Sequence, residues 1–335
     1  MKNILYWCAG LALCLLLLLT ASCVTVPATY TALHMYAPGG TIVTTPISSR
    51  GCGRPAPIQP GTDALESVIS HGMTRSYLLY LPPDYRATSR YPLVLNFHGY
   101  GSNTFQQAQQ SAFTALAREQ DFIVAYPQGL PGPGGRTGWA TGLPLRPPVN
   151  DVLFVSDLLS HLQATLCINP LRIYATGFSN GGGMTDLLAC KLARRIAAFA
   201  PVSGSYPPAP GGCDARRPAP IMEFHGTADP VVPYKGNPLQ REPPIAFWLR
   251  QWASRDGCTK GPITFYRSGN VVGEEWTGCK GGAVVIGYRI LGEGHHWPTV
   301  LFNIHTGNGV YPSTASQVIW SFFQSHPLGG PATKS

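Results

Sequence analysis

The sequence predicts an α/β protein with a mostly parallel central sheet and helices on both faces. Two observations carry this expectation. Short, continuously apolar runs alternate with amphipathic segments over residues 76–323, the pattern of strands buried on both faces and joined by helices. One strand-to-helix joint reads Gly177-Phe-Ser-Asn-Gly181, a turn that lifts a serine above the edge of such a sheet. Ligands of these sheets bind beyond the carboxyl ends of the strands, so the polar residues found there are the informative ones.

In chain order, residues 76–81 read as a strand, and residues 92–97 as a short buried strand ending at His98-Gly99. Residues 106–119 have helical spacing, and 122–126 form another buried strand. Residues 151–166 are amphipathic, with Val152, Val155, Leu158, Leu159 and Leu162 on one helix face. A strand over 171–175, a helix over 181–194 and a strand over 196–202 follow. The remaining elements are a strand at 221–224, a helix at 244–254, a strand at 284–290 and a helix at 314–323.

Composition narrows the class. The chain has 335 residues, 44% of them hydrophobic, with a single long apolar run. This excludes a generic disordered chain and a polytopic membrane protein. Charged residues make up 12%, against ~25% in an average protein. With 38 Gly and 32 Pro, this indicates a loop-rich, weakly charged body. The net charge is +8, but Lys and Arg are scattered and the densest groups are pairs such as Arg194–Arg195 and Arg216–Arg217, which excludes a nucleic-acid partner.

Residues 1–23 read as an export signal. Lys2 precedes an uncharged apolar stretch over residues 4–19, and Thr20-Ala21-Ser22-Cys23 follows. The small pair before Cys23 resembles a lipobox, which makes Cys23 the candidate lipid site. The expected location is extracellular, either freely secreted or held at the cell surface by that lipid, with no other membrane contact. Residues 24–63, rich in Pro, Thr and Gly, read as a tether, residues 64–326 as the catalytic domain and residues 327–335 as a flexible tail. Of the nine cysteines, Cys8 and Cys14 lie in the signal and Cys23 at its end, leaving an even set suited to disulfides in an oxidising compartment.

The chemistry is expected at strand ends. Ser179 is the candidate nucleophile at the Gly-x-Ser-x-Gly turn, and a serine hydroxyl needs an adjacent base. Asp229 stands just past the strand at 221–224, where its carboxylate can orient an imidazole. The strand at 284–290 ends in Glu293-Gly-His295-His296-Trp-Pro298, so the base is one of the two adjacent histidines. The oxyanion needs two preset N–H donors. One is the backbone N–H of Asn180, the residue after the nucleophile. The other is assigned to Tyr100, in the loop after the early strand, with His98 bracing that loop. No metal or organic cofactor is implied.

Four segments now stand together: His98-Gly-Tyr-Gly101, Gly177-Phe-Ser-Asn-Gly-Gly182, His225-Gly-Thr-Ala-Asp-Pro-Val-Val-Pro-Tyr234 and Gly294-His-His-Trp-Pro298. In combination they resemble the polyhydroxybutyrate depolymerase/feruloyl esterase family of α/β-hydrolases, over about residues 50–326. The resemblance implies the α/β-hydrolase fold and a Ser179–Asp229–His295 triad. It selects His295 because the family's catalytic histidine follows Gly and stands two places before Trp. Two departures stand beside the triad: Glu293 replaces the usual Gly, and His296 replaces a frequent Thr or Ser. The implied activity is hydrolysis of a carboxylic ester through an acyl-enzyme. The expected substrate is a feruloyl or other cinnamoyl ester of plant cell-wall polysaccharide. A polyester such as polyhydroxybutyrate and acetylated xylan are the alternatives, ahead of a serine peptidase or a non-catalytic binding protein. Residues 129–150 form a Gly/Pro-rich loop on the active face, in which Trp139 is a candidate to stack on a phenolic ring, as are Trp297, Tyr234 and His296 near the triad. Geometry pairs Cys167 with Cys190 at the lower edge of the sheet and Cys258 with Cys279 across a hairpin, leaving Cys52 for Cys213 by elimination.

Overall fold

The computed structural model describes residues 40–142, 149–300, 302–306 and 309–329. The candidate lipid site Cys23, the signal and residues 24–39 lie outside the described residues. From Gly40 onward, the segment expected to be a tether is laid along the body. Val43 donates its N–H to Ser156 Oγ at 2.8 Å, and the Ile47 carbonyl accepts from Gln163 Nε2 at 2.8 Å. Ser49 Oγ accepts the Ile168 N–H at 3.0 Å. Threonine and proline content suggested a spacer, but the small residues permit close apposition: a Cβ at Gly51 would lie 2.1 Å from the backbone nitrogen of Leu166. At the other end, Leu328 donates its N–H to the Leu171 carbonyl at 2.8 Å, so the expected tail begins attached.

The chain order is β1 (Asp63–Ser70), β2 (Met73–Tyr80), β3 (Tyr91–Phe97), α1 (Thr104–Ser111), α2 (Phe113–Gln120), β4 (Ile123–Pro127), β5 (Leu130–Pro131), β6 (Thr137–Gly138), α3 (Asp151–Thr165), β7 (Ile168–Phe178), α4 (Asn180–Leu192) and β8 (Ala198–Val202). There follow β9 (Ile221–Gly226), α5 (Ile245–Arg255), β10 (Lys260–Ser268), β11 (Val271–Thr277), β12 (Val285–Ile290), β13 (Phe302–Thr306), β14 (Gly309–Ser313) and α6 (Ala315–Ser325). A 10-stranded sheet runs β1-β2-β4-β3-β7-β8-β9-β12-β11-β10. The stretch from β4 to β12 is parallel, and antiparallel strands close both edges.

The parallel strands read as continuous apolar runs because both their faces are covered. One face packs against α3, α4 and α5 through residues such as Leu158, Leu188 and Trp248. The other packs against α2 and α6 through Phe113, Ile319 and Phe323. Asn150 caps α3 by accepting the Leu153 N–H, and Thr314 with Gln317 forms a capping box on α6. The helix expected over 106–119 is two helices. Ala112 adopts φ 52°, ψ 21° and breaks it, which turns Phe113 fully into the core.

The structure changes two cysteine pairings. Cys52 joins Cys167, and Cys190 joins Cys213; Cys258 joins Cys279. The expected Cys167–Cys190 bond fails because α4 turns Cys190 toward the loop after β8, where Lys191 Nζ also donates to the carbonyl of Gly212. Cys167 meets the N-terminal segment instead, which Gly51 docks on the end of α3 through its N–H to the Gln163 carbonyl. The pairing of Cys52 with Cys213 falls with it.

Candidate active site

The site is built at the carboxyl ends of the central strands. Ser179 follows β7 directly and precedes the first residue of α4, with φ 56° and ψ −118°. A non-glycine residue in this region is strained and persists only where its surroundings impose it. The flanking glycines supply that constraint. A Cβ at Gly181 would lie 2.1 Å from the Phe97 carbonyl oxygen, and one at Gly177 would lie 2.5 Å from the Gly181 carbonyl oxygen. The start of α4 is therefore pressed against the end of β3, and the serine between them is forced outward. Gly181→Ala is expected to destabilise the fold by about 3 kcal/mol or more. Denaturant titration followed by tryptophan fluorescence measures this; an unchanged midpoint would contradict the close approach.

Asp229 comes from the turn after β9. Its Oδ1 accepts the N–H groups of Val231 and Val232, each at 2.8 Å. Its Oδ2 lies 2.7 Å from Nδ1 of His295, in the loop after β12. The Asp229 side chain is wholly buried, and that of His295 is 14% exposed. Burial pushes the Asp229 carboxyl up, but hydrogen bonds from His225, His295 and the Val232 N–H outweigh it and hold the group well below the usual carboxylate range. With Nδ1–H donated to Asp229, the neutral His295 ring keeps Nε2 as its acceptor. The ring packs against Phe178 with centroids 4.7 Å apart, which sets it beside the elbow. Ser179 Oγ makes no hydrogen bond among the described residues, and such bonds often tighten only when substrate binds.

The loop after β3 passes over the same point, since a Cβ at Gly99 would lie 3.4 Å from Ser179 Cβ. His98 is fully buried beneath it. Its Nδ1 donates to the Gly99 carbonyl at 2.7 Å, and its Nε2 accepts the Gly129 N–H at 2.9 Å. Burial pushes this imidazole down to about 4 despite the Gly99 contact, so it is a neutral brace at ordinary pH. Asn180 is held by its side chain: Oδ1 accepts the Trp139 N–H at 2.7 Å, and Nδ2 donates to the Trp139 carbonyl at 3.1 Å. Among the described residues, the backbone N–H groups of Asn180 and Tyr100 have no acceptor. For Asn180 this follows from its place at the helix start.

Residues 75–209 match the family model described as Esterase PHB depolymerase. Feruloyl esterase B of Piromyces equi is 34% identical over 237 residues, covering 66% of this chain and 42% of that protein. Residues 75–209 carry the polyhydroxybutyrate depolymerase esterase family's sequence pattern. The chain spans less than half the length of that relative. Feruloyl esterase C of Emericella nidulans is 27% identical over 286 residues, covering 83% of this chain and 92% of that protein. The solved acetyl xylan esterase from Aspergillus awamori aligns with a TM-score of 0.56 at 15% identity, covering 78% of this chain and 98% of that one. At that identity the likeness supports the fold alone, which is the α/β-hydrolase fold.

Two candidate substrate contacts are displaced. Trp139 is 1% exposed. Its indole donates to the His98 carbonyl at 2.9 Å and its ring meets Phe97 edge-on, so it is part of the scaffold under the loop. Trp297 is 4% exposed; its indole donates to Ser316 Oγ at 3.0 Å and its ring packs against Phe113. In both cases a buried N–H partner fixes the ring in the core. Tyr234 is half-buried, its ring edge-on to His225. His296 is exposed and paired with Glu293 at 2.9 Å. The sequence reading missed His225 and Glu223. Strand alternation carried the signal: both stand on one face of β9, two residues apart, in an otherwise apolar strand.

Proposed function

We propose that this chain is an exported serine carboxylic-ester hydrolase that acts on feruloyl or related cinnamoyl esters of plant cell-wall polysaccharide. The observation that carries the reading is the 2.7 Å contact between Asp229 and His295, set beside the strained Ser179. His295 Nε2 takes the Ser179 proton as Oγ attacks the ester carbonyl. The backbone N–H groups of Asn180 and Tyr100 receive the oxyanion. The tetrahedral adduct collapses, His295 passes its proton to the departing alcohol, and the acyl group stays on Oγ. Water, deprotonated by the same imidazole, then releases the acid. Asp229 holds the ring with Nδ1–H toward itself and stabilises the cation formed in each half-reaction. The three disulfides of the described residues fit an oxidising compartment outside the cytoplasm. A lipid on Cys23 would keep the enzyme at the cell surface.

The phenolic substrate is supported by the feruloyl esterases among the relatives. The burial of Trp139 and Trp297 favours a second reading, a small acyl group such as acetate, because it removes two expected stacking partners. A panel of methyl ferulate, p-nitrophenyl acetate, a 3-hydroxybutyrate oligomer and a peptide separates these. The first reading expects kcat/KM for methyl ferulate at least about tenfold above that for the acetate. Equal or reversed values assign the short-acyl reading. A fluorophosphonate probe that fails to label Ser179 would remove both.

A further inference from the structure

Behind Asp229 lies a second imidazole that the mechanism above does not use. His225, near the end of β9, has a fully buried side chain. Its Nδ1 lies 2.8 Å from Glu223 Oε1. Its Nε2 lies 2.9 Å from the Val232 carbonyl and 3.4 Å from Asp229 Oδ2, the oxygen that also meets His295. A neutral imidazole has one donor and one acceptor nitrogen. Here both nitrogens face oxygens, and the ring is more basic than either carboxylate, so it donates from both. Glu223 is fixed in turn by the Tyr206 hydroxyl, which donates to Oε1 at 3.2 Å. A continuous chain of contacts therefore runs from Tyr206 through Glu223, His225 and Asp229 to His295.

We propose that His225 is a buried imidazolium that acts as a positioning residue, clamping Asp229 from behind and moderating the basicity of His295, with Glu223 as its counter-charge. The inference rests on the triad reading above. Other groups face His225 without supplying its charge. Tyr234 meets it edge-on with ring centroids 5.9 Å apart. Glu242 lies within electrostatic reach while accepting the Tyr206 N–H. Arg289 holds the neighbouring register position on β12 and is paired with Glu274. Burial pushes the His225 imidazole down, but Glu223 and Asp229 more than offset this and raise it to about 10. The clamp therefore stays charged across the range in which an ester hydrolase works.

Two variants move the site in opposite directions. His225→Gln removes a cation near His295, so the His295 cation becomes easier to form. The acidic limb of the kcat/KM profile then moves to higher pH, by about one unit. Glu223→Gln removes an anion and moves the same limb to lower pH. His225→Gln is also expected to lower kcat by about 10- to 100-fold through misplacement of Asp229, with KM changed less than about threefold. A role in packing alone would lower activity without displacing the limb in opposite senses, and an unmoved limb in both variants overturns the proposal. Should the variants fail to fold, nitrogen-15 histidine NMR of the wild-type protein decides the charge. Both ring nitrogens of His225 are expected to stay protonated from pH 5 to about 9, and a neutral tautomer in that range overturns the proposal. Absence of ester turnover in the wild type would instead sink the hydrolase reading and the positioning role with it, with the NMR result still deciding the charge.

Discussion

Ser179→Ala is expected to lower ester turnover by about 10⁵-fold or more while leaving the fold intact. The size follows from the mechanism, because no acyl-enzyme can form without the oxygen, and only binding and the oxyanion donors remain. The fold is expected to survive because Ser179 Oγ makes no hydrogen bond among the described residues. Its backbone ties, from its N–H to the Val202 carbonyl and from its own carbonyl to the Gly183 N–H, do not involve the side chain. Alanine tolerates the positive φ no better than serine does, so stability should change by less than about 0.5 kcal/mol. Turnover of a p-nitrophenyl ester, fluorophosphonate labelling and a thermal melt make the comparison. A loss of only a few-fold would mean that another residue attacks the ester.

The second large effect separates two adjacent histidines. His295→Ala should cost about as much as Ser179→Ala, and the double variant should be no slower than either single one, since the pair acts as a unit. His296→Ala should leave kcat/KM within about threefold, because its exposed ring is paired with Glu293 and exposed pairs contribute little. Steady-state kinetics of the three variants checks both statements. A large loss in His296→Ala with near-normal turnover in His295→Ala would reverse the assignment of the base.

Much of this arrangement was legible because it is local in sequence. The elbow is a five-residue motif whose glycines are required by close approaches that can be named before any coordinates are seen. The apolar runs of β3, β4 and β7 could only be strands covered on both faces. What escaped depended on orientation. The break between α1 and α2 falls on Ala112 rather than on a glycine, so no residue type marked it. The rotation of α4 about its axis decides where Cys190 points, and no spacing rule fixes that angle. Trp139 and Trp297 were readable as aromatic and near the site. Which side of the loop each ring takes depended on acceptors remote in sequence, the His98 carbonyl and Ser316. Glu223 lies inside a strand and His225 at its exit, and no motif gives either a role; their place behind the acid emerges only when Asp229 is seen beside His225.

The Cys52–Cys167 bond has a mechanical consequence. It fastens the incoming chain at the start of β7, while Ser179 sits beyond the other end, on the order of 30 Å away along the strand. Any pull transmitted through residues preceding Gly40 is carried covalently into the floor of the sheet. The turn that carries Ser179 lies at the opposite end of that strand from the attachment.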